Sequence, residues 1–167
     1  MRSLLIIILG LLCYSGYAQI INFPDPNFKN ALVNTKCVDV NNDGAGDMDA
    51  DLDNDGEIDN IEAEKVLSLD LYSKKISDLD GIVNFKNLTR LECHFNFLTS
   101  LDLQSLTNLT RLNCSANQLN SLNVQGLINL TSLNCSFNLL TSLYVQDMIK
   151  LTVFNCAFNK IATLNME

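Results

Sequence analysis

Residues 88 to 161 repeat one frame four times. The frame runs Leu88-x-x-Leu91-x-Cys93-x-x-Asn96-x-Leu98, then Leu109-x-x-Leu112-x-Cys114-x-x-Asn117-x-Leu119, then Leu130-x-x-Leu133-x-Cys135-x-x-Asn138-x-Leu140; its fourth copy keeps Leu151, Phe154, Cys156, Asn159 and Ile161. Each position returns 21 residues later. A unit this short cannot bury its own apolar face, so copies at a fixed period fold by stacking. The alternation Leu-x-Cys is strand periodicity, which predicts one short strand per copy in a parallel sheet, with Leu and Cys inward. The asparagine then turns the chain, and stacked asparagines can offer their amides to backbone groups that the turn would leave buried and unpaired. The second halves, such as Leu98-Thr-Ser-Leu101-Asp-Leu103 and Leu119-Asn-Ser-Leu122-Asn-Val124, return apolar residues inward on the far side in too few residues for a long helix. An earlier copy, Leu69-Asp70-Leu71 with Ile76 and Leu79, carries Lys74 in place of the asparagine and reads as the first turn.

This is the leucine-rich-repeat pattern. Over about residues 66 to 167 it resembles the internalin type, and specifically the internalin J-like variety, whose 21-residue copies carry a cysteine ladder. The resemblance implies an α/β solenoid, mostly β: a right-handed leucine-rich-repeat superhelix with a short parallel strand per repeat, preceded by a small helical cap and a calcium-loop segment. The stretch from Phe23 to Val33, with Pro24 and Pro26, is similar to the helical cap that opens many such bacterial solenoids. Together with the acidic segment it resembles secreted proteins of gliding Bacteroidota. Those continue with more repeats and end in a C-terminal secretion domain, whereas this chain stops at Glu167 with no closing cap, and is read as a fragment or a short member. The expected division is an export signal over 1–18, a cap over 19–36, an acidic calcium-binding segment over 37–65 and the solenoid over 66–167.

The last four cysteines are spaced like the repeat and unlike the close pairs of a zinc site. Inward side chains on neighbouring strands stand about 4.8 Å apart, slightly too far for ordinary disulfide geometry. Cys93, Cys114, Cys135 and Cys156 are therefore expected to be free, buried and packed as small hydrophobes. Cys37 stands outside the ladder, either buried or pairing between molecules.

At the N-terminus Arg2, the apolar run Leu4 to Leu12 and the small residues around Ala18 have the form of an export signal, with the mature chain beginning at Gln19. The run is too short to span a bilayer as a helix of about twenty apolar residues, and no other segment is longer, so no transmembrane segment is expected in the mature chain. With 167 residues and 47% hydrophobic composition the chain can bury a core. Its formal charge of −8 is concentrated. Eleven of the 19 acids lie between Asp39 and Glu64, leaving eight to face 11 lysines and arginines elsewhere. Nothing resembles the basic face that nucleic-acid binding needs.

Within the acidic segment, Asp51-Leu-Asp53-Asn-Asp55-Gly56-Glu57-Ile58-Asp59-Asn-Ile-Glu62 places oxygen donors at loop positions 1, 3, 5, 9 and 12 and glycine at 6. That is the spacing of an EF-hand calcium loop. Calcium takes six to eight oxygens, glycine permits the sharp bend, Glu57 supplies its backbone carbonyl and Glu62 can close the shell with both oxygens. Ile58 fills the apolar slot, and Ala63 to Leu67 are expected to extend an exiting helix. An upstream stretch with Asp39, Asn41, Asp43 and Asp47 starts the same pattern, but Gly46 replaces the apolar residue and Ala50 the closing glutamate, making it a weaker second site. The Asp-x-Asp spacing also resembles thrombospondin type 3 and dockerin loops. Calcium is expected as a structural cofactor, since extracellular sites commonly bind at about 10⁻⁴ to 10⁻³ M.

Outward strand positions form the expected binding face: Arg90, Glu92, His94, Arg111, Asn113, Ser115 and Asn134, with Ser132, Ser136, Val153, Asn155 and Ala157. Small polar groups flanked by two arginines suit an extracellular glycan or polar protein surface. Phe95, Phe137 and Phe158 recur just before the asparagines and are expected in the core. The sole histidine, His94, and serines at repeating positions assemble no nucleophile with its base, so no enzyme is expected. The Asn-Leu-Thr triplets at Asn87, Asn108 and Asn129 recur because the repeat recurs. The expected function is a secreted or surface-associated binding and adhesion module; the alternative is the non-catalytic N-terminal portion of a larger exported enzyme.

Overall fold

The computed structural model describes residues 18–40, 46–146 and 148–165. The export signal up to residue 17, and Asn41 and Asp43 of the weaker loop, lie outside the described residues. Helix α1 (Pro26–Asn34) and the single turn α2 (Asn60–Ala63) precede a run of three-residue strands. These are β1 (Ser68–Asp70), β2 (Arg90–Glu92), β3 (Arg111–Asn113), β4 (Ser132–Asn134), β5 (Ser142–Tyr144), β6 (Val153–Asn155) and β7 (Thr163–Asn165). A 3-10 turn spans Ile82–Asn84.

Strands β1, β2, β3, β4 and β6 form one parallel sheet in that order, with no register slip from copy to copy. Leu69 faces Leu91, Leu91 faces Leu112, Leu112 faces Leu133 and Leu133 faces Phe154. The fold is thus the parallel-strand solenoid that the repeat predicts. Strands β5 and β7 pair on the return side, in a second small sheet that the repeat pattern did not announce. The leucines of the frame fill the interior: Leu88, Leu91, Leu98, Leu109, Leu119, Leu130, Leu133 and Leu140 are fully buried. Each such side chain contributes roughly 1.5–3 kcal/mol on leaving water.

Polar ladders run beside the apolar core. Asn96 accepts the N–H groups of Lys74 and Ile76 on Oδ1 and donates from Nδ2 to the Leu71 and Cys93 carbonyls. Asn117, Asn138 and Asn159 repeat this, each donating to the cysteine carbonyl of its own turn and of the turn before. A second ladder lies at the strand entrances, where Thr110, Thr131 and Thr152 donate their hydroxyls to the carbonyls of Thr89, Thr110 and Thr131. The asparagines of the Asn-Leu-Thr triplets also work structurally: Asn87, Asn108 and Asn129 donate to the Glu64, Lys86 and Thr107 carbonyls of the preceding turn.

The N-terminal segment closes the first edge of the sheet. Val38 bridges Leu69 antiparallel, and the Asp70 N–H donates to the Cys37 carbonyl at 2.7 Å, so β1 offers no free ladder to another chain. Cys37 is fully buried there, which resolves its two readings: a thiol without access to solvent cannot pair between folded molecules. Asp25 caps α1 by accepting the Asn27 and Phe28 N–H groups, while its other oxygen takes the Ser77 N–H, the Ser77 hydroxyl and the Asp78 N–H. One carboxylate thereby joins the cap helix to the first turn.

Two expectations need correction. Helix α2 begins inside the acidic loop and ends at Ala63, instead of exiting through Leu67. The Asp59–Glu62 capping box sets its start, and Leu67 must already be extended to feed β1. The phenylalanine row is not core: Phe95, Phe137 and Phe158 are 60%, 54% and 72% exposed. Each sits in left-handed backbone, with φ of 56°, 54° and 55°, at the bend between the cysteine and the asparagine. Both neighbours of that bend point inward, Cys93 fully and Asn96 almost fully buried, so the intervening side chain is thrown to solvent.

Candidate functional site

The loop at 51–62 folds around its own carboxylates. Asp51 accepts the Asp55 N–H on Oδ1 and the Gly56 N–H on Oδ2, at 3.1 and 2.9 Å. Asp53 takes the Asp55 N–H and Asp55 takes the Glu57 N–H. Left-handed Asn54 and Gly56, at φ of 60° and 84°, make the bend; for Gly56 this is the role the spacing assigns. As a result Asp51, Asp53 and Asp55 each bring a carboxylate oxygen within 4.8 Å of the others. Three converging hard donors suit a divalent cation with oxygen preference.

The remaining donors stand as follows. Glu62 is buried, its Oε1 on the Leu52 N–H at 2.6 Å and its Oε2 on the Asp59 N–H at 3.0 Å, which holds the position 12 carboxylate beside the start of the loop. Asp59 turns to cap α2, accepting from Ile61 and Glu62. The Glu57 side chain pairs with Lys29 of α1 at 2.6 Å, consistent with a position that contributes only its carbonyl. Ile58 is fully buried, and its carbonyl accepts the Ile21 N–H. The loop therefore docks on the N-terminal strand-like segment, as Ile20 bridges Asp59 antiparallel.

The upstream loop is built differently. Ala50, where a closing glutamate would stand, is fully buried and donates its N–H to the Leu32 carbonyl. Gly46 lies so close to the Lys36 carbonyl that no Cβ fits. Asp47 accepts the Val40 N–H, and Asp39, almost wholly buried, accepts the Arg90 guanidinium at 3.2 Å.

On the strand face Arg90 is spanned between two carboxylates, Asp39 and, at 3.1 Å, Glu92. His94 stacks on Tyr72 with ring centroids 4.6 Å apart, and its Nδ1 lies 3.5 Å from Glu92 Oε2. Arg111 is exposed, and among the described residues it has no ion-pair partner. Ser115 was expected on this face but is buried, its hydroxyl donating to Asn113 Oδ1 at 2.7 Å; Asn134 holds Ser136 the same way. The strand ends at Asn113, and the turn that follows folds the serine beneath the asparagine.

The ladder cysteines are free, with Cys93, Cys114 and Cys135 fully buried and Cys156 partly so. Burial pushes the thiols of Cys93, Cys114 and Cys135 up, Cys135 to about 12 and Cys114 well above the ordinary value, which makes these three poor nucleophiles and poor ligands. What the sequence reading placed in the core, and the structure places at the surface, is the ring row. Phe137 and Phe158 stack at 4.2 Å with planes 15° apart, Phe95 meets the edge of Tyr72 at 5.7 Å, and Phe97 and Leu139 are exposed one step further on. The signal was present in the frame, since a residue between two inward-pointing neighbours at a bend must face out.

Repeat, register, asparagine ladder and cysteine ladder together define a leucine-rich-repeat solenoid with an internalin-like fold. Its likeness to solved structures is specific. The functional domain of InlJ from Listeria monocytogenes, which includes a cysteine ladder, is 35% identical over 85% of this chain with a TM-score of 0.68. This chain spans 29% of that domain's length. Internalin C2 from Listeria monocytogenes shares the fold at 21% identity and a TM-score of 0.55, over 86% of this chain and 74% of that one. No protein-family profile matches the sequence, and neither does any curated protein sequence. Among the described residues no helix is long and apolar enough to cross a membrane.

Proposed function

We propose that this chain is an extracellular recognition and adhesion module whose solenoid binds a protein partner, with a structural calcium ion organising the acidic loop beneath the cap. The observation that carries the reading is the ring row. Phenylalanine in left-handed backbone costs about 1–2 kcal/mol relative to glycine, and three copies keep it while exposing the ring. Exposed aromatic patches rimmed by polar groups mark interaction surfaces, and aromatic residues are the usual anchors of protein interfaces. The row borders the polar strand face of Arg111, Asn113 and Asn134, so an apolar anchor line and hydrogen-bonding groups lie side by side.

Asp51, Asp53, Asp55 and Glu62, with the Glu57 carbonyl, would hold calcium, and Asp59 would contribute through its second oxygen. The ion would supply charge neutralisation to a loop whose carboxylates otherwise repel one another.

Beads carrying the full chain test the reading. They should adhere to a panel of cells in a manner abolished by trypsin treatment of the cells and reduced about tenfold in the variant Phe95→Ser/Phe137→Ser/Phe158→Ser. Equal adhesion of the variant removes the ring row from the account, and adhesion that survives trypsin but not glycosidases replaces the protein partner with a glycan.

A further inference from the structure

Where the N-terminal segment crosses the edge of the sheet it raises a wall beside the strand entrances, and a cleft of about 420 Å³ opens between them. Val38, Asp39, Val40 and Lys65 line it together with the strand-entrance row, in which Leu67 precedes Thr89, Thr110 and Thr131 and accepts the Thr89 N–H and hydroxyl, and with Arg90 and Arg111 beside that row. The volume falls in the range of roughly 300–1,000 Å³ typical of small-molecule sites. On a protein of net charge −8 this cleft is locally positive: it holds Lys65, Arg90 and Arg111 against a single carboxylate, Asp39.

The two arginines face each other across β2 and β3 in direct register, an arrangement that repels unless something neutralises it. Arg90 is neutralised, held by Asp39 and Glu92 with its side chain only 15% exposed. Arg111 is not; its other strand neighbour is Ser132, and it meets no carboxylate among the described residues. Thr89, Thr110 and Thr131 spend their hydroxyl protons on backbone carbonyls, so among the described residues the charged donors of the cleft that meet no carboxylate are Arg111 and Lys65. Val40 and Leu67, also in the lining, stand 65% and 55% exposed, apolar surface that the cleft leaves open to a ligand.

We propose that this cleft binds a carboxylate-bearing sugar, with Arg111 gripping the carboxylate and the exposed side chains of Val40 and Leu67 taking the ring face. A guanidinium matches a carboxylate bidentately, and a cleft of this size accommodates one or two sugar rings but not a run of protein surface. The proposal rests on the recognition reading, the sugar being borne by the protein partner, and adds a second contact distinct from the ring row.

The test is calorimetry of the full chain with N-acetylneuraminic acid and with glucuronic acid, against galactose as the neutral control and a short aspartate-containing peptide as the acidic one. Either acid sugar should bind with a Kd of about 1 mM, as befits a small ligand held by few polar contacts, and galactose should not. Arg111→Ala should weaken binding at least about tenfold, with Arg111→Gln repeating the measurement if the smaller side chain compromises folding. No saturable binding of either acid, an unchanged Kd in the Arg111 variants, or galactose binding as tightly overturns the proposal. Binding of the peptide in place of the sugars overturns it in favour of an acidic protein segment. If the cleft fails while ring-dependent adhesion persists, the recognition reading stands alone; if adhesion is lost from the ring variant's parent as well, that reading falls separately.

Discussion

The side-chain amide of Asn117 donates to the Cys93 carbonyl, 3.0 Å away in the preceding turn, while its Oδ1 accepts the Leu98 N–H at 3.0 Å. A single side chain therefore satisfies buried backbone groups on both sides of the bend and across two turns. Replacing it, as Asn117→Ala, strands at least one carbonyl and one N–H away from water. Each orphaned group costs about 1–3 kcal/mol, so urea unfolding should show a loss of about 3 kcal/mol; a loss below about 1 kcal/mol would show that the ladder follows the fold without supporting it.

Asp25 predicts an acid-sensitive cap. Burial raises its carboxyl, but hydrogen bonds from Ser77, Asn27 and Phe28 outweigh that and hold it below the ordinary 3.8. A carboxyl lowered in the folded state stabilises above its unfolded value and loses that contribution as pH falls through the folded one. Melting temperature should consequently drop below about pH 4 in the parent. In Asp25→Ala that acid slope should flatten, on a background about 2–4 kcal/mol less stable at neutral pH. An unaltered slope would remove Asp25 from the acid response.

The buried thiols predict the opposite edge of the pH range. Burial raises Cys37 and Cys135 from 9.0 to about 12, so the unfolded chain releases these protons first. Their contribution is complete below pH 9.0 and is lost as pH climbs toward about 12. Thermal melts from pH 8 to 11, run in reductant, should decline in the parent at about pH 9 and above, and less steeply in Cys135→Ala. Alkylation under native conditions should modify the partly exposed Cys156 before Cys114; the reverse order would contradict the inward ladder.

Exposure of the ring row predicts an asymmetry between neighbours. Phe95→Asn places a residue that tolerates left-handed backbone at φ 56° and should change stability by less than about 1 kcal/mol, or raise it. Leu91→Ala, four positions earlier and fully buried, should cost about 2–5 kcal/mol. Comparable losses from the two would return the phenylalanine to the core.

Calcium should raise stability through the acidic loop. With a site of about 10⁻⁴ M, 10 mM calcium amounts to about 100 Kd and should add about 2.7 kcal/mol over chelator. Asp53→Asn preserves the local turn but removes a ligand charge, and should shrink the increment. An identical melt in calcium and chelator would leave the loop a self-hydrogen-bonded turn.

Much of this architecture was legible residue by residue. Leu91, Cys93 and Asn96 name strand, inward ladder and turn because their spacing admits one stacking solution, and the Asp51–Glu62 spacing announced a loop that does bring Asp51, Asp53 and Asp55 together. Ser115 and the phenylalanines were misread for one reason: alternation continues only while the strand does, and these strands end after three residues. Past Asn113 the direction of a side chain is set by the bend, not by parity.

What is periodic follows from the residues alone: the solenoid, its register, and the asparagine and cysteine ladders, since a repeat specifies the same neighbour at every step. What is not periodic is settled in three dimensions. The seating of Val38 on Leu69, the capture of Arg90 by Asp39 that leaves Arg111 without an ion-pair partner among the described residues, and the joining of α1 to the first turn by Asp25 all connect residues 31 to 53 positions apart. Such contacts occur once, so no recurrence in the sequence marks them; they form because the cap must bury its own apolar face and close the edge of β1 at the same time.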